Sequence, residues 1–167
     1  MKLTAYPDPV LRRRAAPIEE ITDEVVERAQ AMLRLMYETQ GVGLAAPQVG
    51  WPVQLCVINP DPRDRSGEMV CVNPAIAEAR GEVVAEEGCL SLPEVRGNVL
   101  RFATLTCRWY DLEGERHETQ AEGLLARIFQ HEIDHLQGRL IIDRMTPASR
   151  LTARARVREL ERECESP

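Results

Sequence analysis

The segment His131-Glu132-Ile133-Asp134-His135 restricts the fold more than any other part of this chain. Apolar residues recur around it at helical spacing, and they predict a helix over Ala121–Gln137. The apolar surface of that helix is broad, which favours a central, buried position: Leu124, Leu125, Ile128, Phe129 and Leu136. On a helix, residues four apart share one face, with Cβ atoms about 6 Å apart. His131 and His135 can therefore both point to one metal ion, at roughly 2.0–2.1 Å each.

Glu132 is rotated about a quarter turn away from the two histidines, as the helical repeat requires. That position suits a general base that holds a water at the metal better than it suits a ligand. Two incidental histidines at a solvated helix end are the alternative, but the chain has only three histidines and two fall here. The third, His117, lies among charged residues, where an exposed surface histidine is expected.

Two histidines need a third protein ligand to complete a metal site. A metzincin protease would place a histidine six residues after His135, and that position holds Ile141. Thermolysin-like enzymes take a glutamate from a later helix. Three glutamates are available there, in a segment whose other charges look solvated: Glu159, Glu161 and Glu163.

Cys89 is the better candidate for the third ligand. It follows Gly88 in an irregular stretch after a predicted strand, and glycine lets the backbone approach a metal closely. A lone cysteine is ordinarily a free or buried thiol, but an incomplete two-histidine site reverses that preference, because a thiolate is a strong, soft ligand. The resulting Cys-His-His set leaves one position open for water, as catalytic metal sites do.

The segment Gly41–Gly50 combines three glycines with the pair Ala45-Ala46, which permits close packing against a ligand or a strand. No Gly-Lys-Ser/Thr follows, so the segment is not a phosphate loop. Gln48 is its notable residue, since a side-chain amide can donate a hydrogen bond to a developing oxyanion. Taken alone, a surface amide in a loop is the simpler interpretation.

The remaining patterns predict an α+β domain over residues 1–167, with antiparallel β-sheets packed around the central helix and a further helix at the C-terminus. The predicted elements, in chain order, are a helix over Asp23–Thr39, strands over Val53–Ile58, Met69–Asn73 and within Ala75–Ala85, an alternating strand over Leu100–Asp111 with a short return strand, and a helix over Thr146–Cys164.

Capping signals mark the ends of two helices. Thr119 and Glu122 have the spacing of a capping box before the central helix, and Gly138 stands where a C-terminal glycine cap is expected. Thr146 and Pro147 are typical of the N-cap and the first position of the last helix.

Composition excludes several classes of protein. The net charge of −6 argues against a surface dedicated to nucleic acid. No apolar run is long enough for a signal peptide or a membrane span, which favours a cytoplasmic protein. The five cysteines are odd in number and widely spaced, so a disulfide framework is not expected. Four of them are expected to be small buried hydrophobic residues: Cys56, Cys71, Cys107 and Cys164.

Three segments together resemble the peptide deformylase family. That family carries a G-h-G-L-A-A-x-Q segment, an E-G-C-h-S segment and a Q-H-E-h-D-H-L segment in this order, where h is apolar. The chain contains them at Gly41–Gln48, Glu87–Ser91 and Gln130–Leu136, and the early stretch Pro7–Arg12 also agrees. Each segment alone is only suggestive, but their joint occurrence at these separations is specific.

The resemblance implies a single divalent ion bound by Cys89, His131 and His135, with ferrous iron the usual metal and zinc, nickel or cobalt able to replace it. Glu132 would be the general base. The Gln48 side chain and the Leu90 backbone N–H would hold the oxyanion. The substrate would be the N-formylmethionine of a new protein chain, from which formate is released.

The resemblance also implies a substrate site. An apolar pocket for the methionine side chain, with backbone groups that bind the peptide as an added strand, would involve Val42, Gly43, Glu87, Gly88, Leu124 and Ile128.

A monomer is expected. A basic C-terminal helix docks some family members on the ribosome. Here five arginines of that helix alternate with glutamates, which weakens this expectation: Arg150, Arg154, Arg156, Arg158 and Arg162.

Two other functions stay open from the residues. One is a metal-dependent peptidase of another class, which a Cys89 ligand would disfavour. The other is a degenerate homologue that binds peptides without hydrolysis, which the presence of Glu132 and Gln48 disfavours.

Overall fold

The computed structural model describes residues 1–165; the side chain of Glu165 and the last two positions of the domain expected over residues 1–167 lie outside the described residues. The described helices are α1 (Asp23–Glu38), α2 (Gly123–Leu136), α3 (Ile141–Arg144) and α4 (Pro147–Glu165), with short 3₁₀ helices at Pro9–Arg12, Ala46–Val49 and Arg65–Gly67. The strands are β1 (Gly43–Ala45), β2 (Leu55–Ile58), β3 (Met69–Arg80), β4 (Val83–Cys89), β5 (Leu92–Arg101), β6 (Thr104–Tyr110) and β7 (Arg116–Glu122).

Five strands form one antiparallel sheet in the order β1-β2-β3-β6-β7, and β4 and β5 form a separate antiparallel pair. The larger sheet lies between two helices. In β2, Cys56 and Ile58 face the core that contains α2, whereas Leu55 and Val57 face the core that contains α1. This explains why β2 is continuously apolar, since both of its faces are buried. The α+β class with antiparallel sheets around the central helix is confirmed.

The small sheet and the two last helices share a further core with the N-terminal segment. Leu92, Val95 and Val99 of β5 pack there with Leu11, which is fully buried, and with Leu160 of α4. This core lies next to Cys89, at the end of β4. The N-terminus and the C-terminal helix are therefore built into the support of that residue.

The strand prediction was incomplete at β5. The sequence predicts an irregular stretch after Cys89 and one alternating strand over Leu100–Asp111. In the structure β5 already begins at Leu92, and the chain breaks at Phe102 to pass from the small sheet to the large one. The Gln130 side chain binds both backbone groups of Phe102. It donates to the carbonyl oxygen at 3.0 Å and accepts from the N–H at 2.8 Å. A side chain thus replaces the strand partner at this point.

The stretch after β2 is divided into strands at other positions than predicted. Met69–Asn73 and the first part of Ala75–Ala85 are joined in the single strand β3, which continues through Asn73 although that residue has a φ of 50°. The Asn73 side chain binds both backbone groups of Ile18, at 2.8 and 2.9 Å. This pairing with the N-terminal segment stabilises the irregular backbone where the register shifts.

The capping box predicted for the central helix is wrong. Thr119 lies within β7, where its Oγ1 accepts a hydrogen bond from Trp109 Nε1 at 3.1 Å. The helix begins directly after β7, and Glu122 at the N-cap makes no side-chain capping bond. The other end agrees with the prediction, since Gly138 adopts a φ of 72° and its N–H donates to the His135 carbonyl.

The last helix starts as predicted, with Thr146 Oγ1 accepting from the Ser149 N–H. The burial expected for Cys164 is wrong: that residue is exposed, because the helix continues past Leu160, where its contact with the core ends. The other three of the four cysteines are buried, as predicted: Cys56, Cys71 and Cys107.

None of the helices in the described part of the chain combines the length and the apolar character that crossing a membrane requires.

His117 is less exposed than expected. Its ring stacks on Trp109 with centroids 4.4 Å apart, and its Nε2 lies 2.5 Å from a carboxylate oxygen of Asp111. The histidine therefore belongs to the hairpin that joins β6 and β7, away from the other two histidines.

Candidate active site

Cys89, His131 and His135 come together as predicted, and their ligand atoms all lie within 4.8 Å of one another. His135 Nε2 is 3.2 Å from Cys89 Sγ and 3.3 Å from His131 Nε2. A tetrahedral ion with bonds of 2.0–2.3 Å separates its ligands by roughly 3.3–3.8 Å. The three donors thus have nearly the spacing that one ion requires. Helix α2 supplies the two imidazoles, and the end of β4 supplies the sulfur.

The charges around this cluster also fit a cation. Burial lowers the pKa of His135 well below its ordinary value, so its ring is neutral, the form that binds metals. Burial also opposes charge on His131, but hydrogen bonding to Cys89 and Glu87 raises the pKa of His131 well above its ordinary value. The field of a sulfur and a carboxylate therefore favours positive charge at this point.

The carboxylate of Glu132 lies beside the cluster and is 3% exposed. Burial raises the pKa of Glu132 to about 7. Its Oε2 is among the buried side-chain atoms that lack a hydrogen-bond partner within the described structure. An unpartnered carboxylate oxygen that lines the cleft can accept a proton from a bound water.

Gly43 sets the position of Glu132. A Cβ added at Gly43 would collide with Glu132 Oε1 and would lie 2.9 Å from Ile128 Cγ2, both too close for any side chain. Only glycine lets β1 approach the carboxylate this closely.

We expect Gly43→Ala to lower turnover by roughly 10²-fold, because the added methyl group displaces the carboxylate by an ångström or more. Steady-state turnover at saturating substrate and metal measures this. Gly67→Ala is a matched control: it adds the same methyl group far from the cleft, 3.2 Å from Asn59 Oδ1. Equal turnover in the two variants would contradict the role assigned to Gly43.

Gln48 is buried with its amide held in one orientation. Its Oε1 accepts the Ala45 backbone N–H at 2.9 Å. Its Nε2 donates to Ser91 Oγ at 3.2 Å and lies 3.6 Å from Cys89 Sγ. The NH₂ group therefore faces the metal cluster, as a donor to a developing negative charge must.

A buried ionic network supports His131, and sequence reasoning missed most of it. Arg101 makes two hydrogen bonds to the Glu87 carboxylate, at 2.9 and 3.0 Å, and a third bond to Asp134. Asp134 also pairs with Arg144, and Glu87 Oε2 lies 3.1 Å from His131 Nδ1. Burial alone would raise the pKa of Glu87, but hydrogen bonding to His131 and Arg101 lowers it to about 2. Glu87 thus stays charged and orients the His131 ring.

A cleft of about 370 Å³ opens onto the cluster. All the residues predicted to bind substrate line it: Val42, Gly43, Glu87, Gly88, Leu124 and Ile128. Leu90 lines it too, directly after Cys89. Two arginines not anticipated from the sequence, Arg96 and Arg127, stand among the lining residues. Ile128 is buried whereas Leu124 is 43% exposed, so the two aliphatic residues span the cleft from its base to its mouth.

Comparison with known proteins agrees with this geometry. The family model described as polypeptide deformylase matches residues 1–151. The peptide deformylase of Endomicrobium trichonymphae is 47% identical over 143 residues, which cover 86% of this chain and 84% of that protein. The enzyme of Syntrophobacter fumaroxidans is 45% identical over 151 residues, covering 90% and 89%. A crystal structure of peptide deformylase from Plasmodium falciparum superposes with a TM-score of 0.94 at 37% identity, covering 99% of this chain and 98% of that one. The chain belongs to the polypeptide deformylase family.

Proposed function

We propose that this chain is a metal-dependent hydrolase that removes the N-formyl group from the N-terminal formylmethionine of new polypeptides and releases formate. We propose that residues 1–167 form one catalytic domain. The observation that carries it is the Cys89–His131–His135 cluster at the base of a cleft, with the Glu132 carboxylate and the Gln48 amide beside it.

Cys89, His131 and His135 would hold one divalent ion. When bound, such an ion supplies Lewis-acid polarisation of a carbonyl and activates water near neutral pH. Glu132 accepts a proton from the attacking water while the water oxygen forms a bond to the formyl carbon. Glu132 then gives that proton to the leaving nitrogen as the C–N bond breaks. The products are formate and a peptide with a free amino terminus.

Gln48 and Leu90 stabilise the carbonyl oxygen as it gains negative charge. The Gln48 NH₂ group is aimed at the cluster by its bonds to Ala45 and Ser91. The Leu90 backbone N–H follows the Cys89 ligand and acts as a second donor.

We expect Gln48→Ala to lower kcat by about 10²–10³-fold, because it removes one oxyanion donor. KM and metal content should change little, since the amide is neither a ligand nor a contact to the substrate side chain. Gln120→Ala is the control, because Gln120 is exposed on β7 and does not line the cleft. A kcat for Gln48→Ala within twofold of the control would show that Gln48 does not stabilise the oxyanion.

The methionine side chain enters the apolar part of the cleft, between Val42, Leu124 and Ile128. The peptide backbone then pairs as an added strand with groups at Val42, Gly43 and Gly88. Gly88 suits this role, because it brings no side chain of its own to the surface on which the peptide lies.

The metal is proposed to be ferrous iron, with zinc, nickel or cobalt able to replace it. One thiolate and two imidazoles bind all of these ions. A thiolate next to a redox-active ion is also sensitive to oxygen and peroxide, so the iron form should be prepared anaerobically.

Three peptides separate the proposed function from its rivals. We expect hydrolysis of formyl-Met-Ala-Ser and little of acetyl-Met-Ala-Ser, whose methyl group crowds the reacting carbon. Cleavage of an internal peptide bond would indicate a peptidase instead. Binding of all three peptides by a fully metallated chain without hydrolysis would indicate a degenerate homologue.

We further propose that the chain acts as a monomer in the cytoplasm, on polypeptides that leave the ribosome. Docking on the ribosome through α4 is part of this proposal, although the arginines there are partly neutralised. Arg156, for example, pairs with Glu94, Glu159 and Glu163. Co-sedimentation of ribosomes with the chain, before and after substitution of the exposed Arg154 and Arg158, tests this part.

A further inference from the structure

The N-terminal segment makes a backbone hydrogen bond to each of the three segments that build the site. Thr4 N–H donates to the Gln48 carbonyl at 2.7 Å, and Tyr6 N–H donates to the Ser91 carbonyl at 2.8 Å. Ala15 N–H donates to the Leu136 carbonyl at 2.9 Å. One continuous piece of chain, which carries none of the candidate site residues, thus spans all three.

Each acceptor lies next to a functional group. Gln48 is itself the oxyanion donor. Ser91 lies two residues after Cys89, and its hydroxyl accepts the bond from the Gln48 amide. Leu136 follows His135 at the end of α2.

Two of these positions lie outside the sheets. Gln48 belongs to a short 3₁₀ helix, and Ser91 belongs to the link between β4 and β5. Strand pairing therefore does not fix the distance between the Gln48 backbone and the Cys89 turn. The N-terminal segment bonds to both, and so adds a backbone link to the direct bond from the Gln48 amide to Ser91 Oγ.

The segment is anchored firmly enough for this role. Leu11 is fully buried with Leu92 and Leu140. The Tyr6 hydroxyl donates to Glu161 of α4 at 2.6 Å, and the Tyr6 ring packs on the same core. The segment is thus fastened to the core that contains β5 and α4.

We infer that Thr4 is a positioning residue for the Gln48 amide, acting through its backbone N–H, and that the segment Thr4–Ala15 is a brace that holds the oxyanion donor in register with the Cys89 ligand. This inference rests on the proposed function of Gln48. It assigns no chemistry to the Thr4 side chain, so any residue except proline should serve at that position.

Thr4→Pro and Thr4→Ala form the matched pair, because both remove the hydroxyl but only proline removes the N–H. We expect Thr4→Pro to lower kcat for formate release by roughly three- to tenfold, the effect of one lost hydrogen bond, with KM and metal content unchanged. Thr4→Ala should stay within twofold of the parent. Equal kcat in the two variants would overturn the inference.

A double-mutant cycle distinguishes positioning from general damage. If Thr4 acts through Gln48, Thr4→Pro should cause no further loss in a Gln48→Ala background. The same loss in both backgrounds would show that the N-terminus only supports the fold, and would overturn the inference. If proline prevents folding, replacing Thr4 by its α-hydroxy acid removes the N–H without a ring, and the same two outcomes apply.

Hydrogen exchange gives a readout that does not depend on turnover. The Ala45 N–H is bonded to Gln48 Oε1 and should exchange faster in Thr4→Pro than in Thr4→Ala, in the zinc-loaded protein. Unchanged exchange would count against the brace even if activity fell. A parent chain that released no formate would instead contradict the proposed function, while this exchange experiment would still test the brace.

Discussion

Glu132→Ala is expected to lower kcat for formate release by about 10²–10⁴-fold, the contribution of a positioned general acid–base group. The metal should stay at one ion per chain, because Glu132 is not a ligand in this arrangement. The carboxylate is buried beside the cluster with one oxygen unpartnered in the described structure, whereas the Glu87 carboxylate in the same cleft is bonded to Arg101 and His131. Turnover and metal content, measured on the same preparation, check this result.

Glu122→Ala is the matched control for that variant. It removes a glutamate next to the same helix, but Glu122 is exposed and makes no capping bond. Its kcat should equal that of the parent. A fully metallated Glu132→Ala variant with kcat within threefold of the control would exclude Glu132 as the base and would move the proton transfer to another group.

Arg101→Met is expected to lower the free energy of unfolding by about 3–5 kcal/mol, the cost of removing one member of a buried ion pair. The Arg101 side chain is 2% exposed, and its partners Glu87 and Asp134 are nearly as buried. Methionine has a similar length but no charge, so Glu87 would lose both of its guanidinium bonds and Asp134 would lose one of its two arginine partners. Urea unfolding of parent and variant, with metal saturating in both, measures the difference.

Arg80→Met is the control for the ion pair, because the Arg80–Glu78 pair is mostly exposed and should contribute about 0–1 kcal/mol. Arg101→Met should also weaken metal binding, since Glu87 would no longer be held against the His131 ring. An Arg101→Met variant as stable as Arg80→Met would show that Asp134 and Glu87 are compensated elsewhere.

The candidate site could be predicted from the sequence largely because short-range geometry determines it. His131 and His135 share a helix face at fixed spacing, so their convergence follows from the helix alone. The motif around Cys89 and the need for a third ligand both predict that Cys89 joins the two histidines. The structure brings its sulfur to the histidines, although the strand that follows it was missed.

The supporting residues could not be predicted in the same way, because their partners are distant in sequence. Arg101 meets Glu87 and Asp134 only after the small sheet has packed against α2. The bond from Thr4 to Gln48 is a backbone contact, which leaves no residue preference to detect. Long-range packing, and not any local pattern, decides these positions.

The positions of some helix and strand ends could not be predicted for a related reason. Thr119 and Glu122 have the spacing of a capping box, but Thr119 pairs with Cys107 across two strands and is not free to cap. Strand pairing therefore prevents Thr119 from acting as the N-cap. Gly138 was correctly predicted, since a left-handed C-cap depends on a single residue.

A metal titration of the metal-free chain, with formate release from formyl-Met-Ala-Ser as the signal, shows whether the Cys89–His131–His135 cluster is the catalytic centre. Under anaerobic conditions, activity should rise in proportion to added ferrous iron and reach a plateau at one ion per chain. The Cys89→Ala variant should show no such rise at the same concentrations. Formate release that is independent of added metal, or no release with one ion bound per chain, would contradict the assignment of this cluster as the catalytic centre.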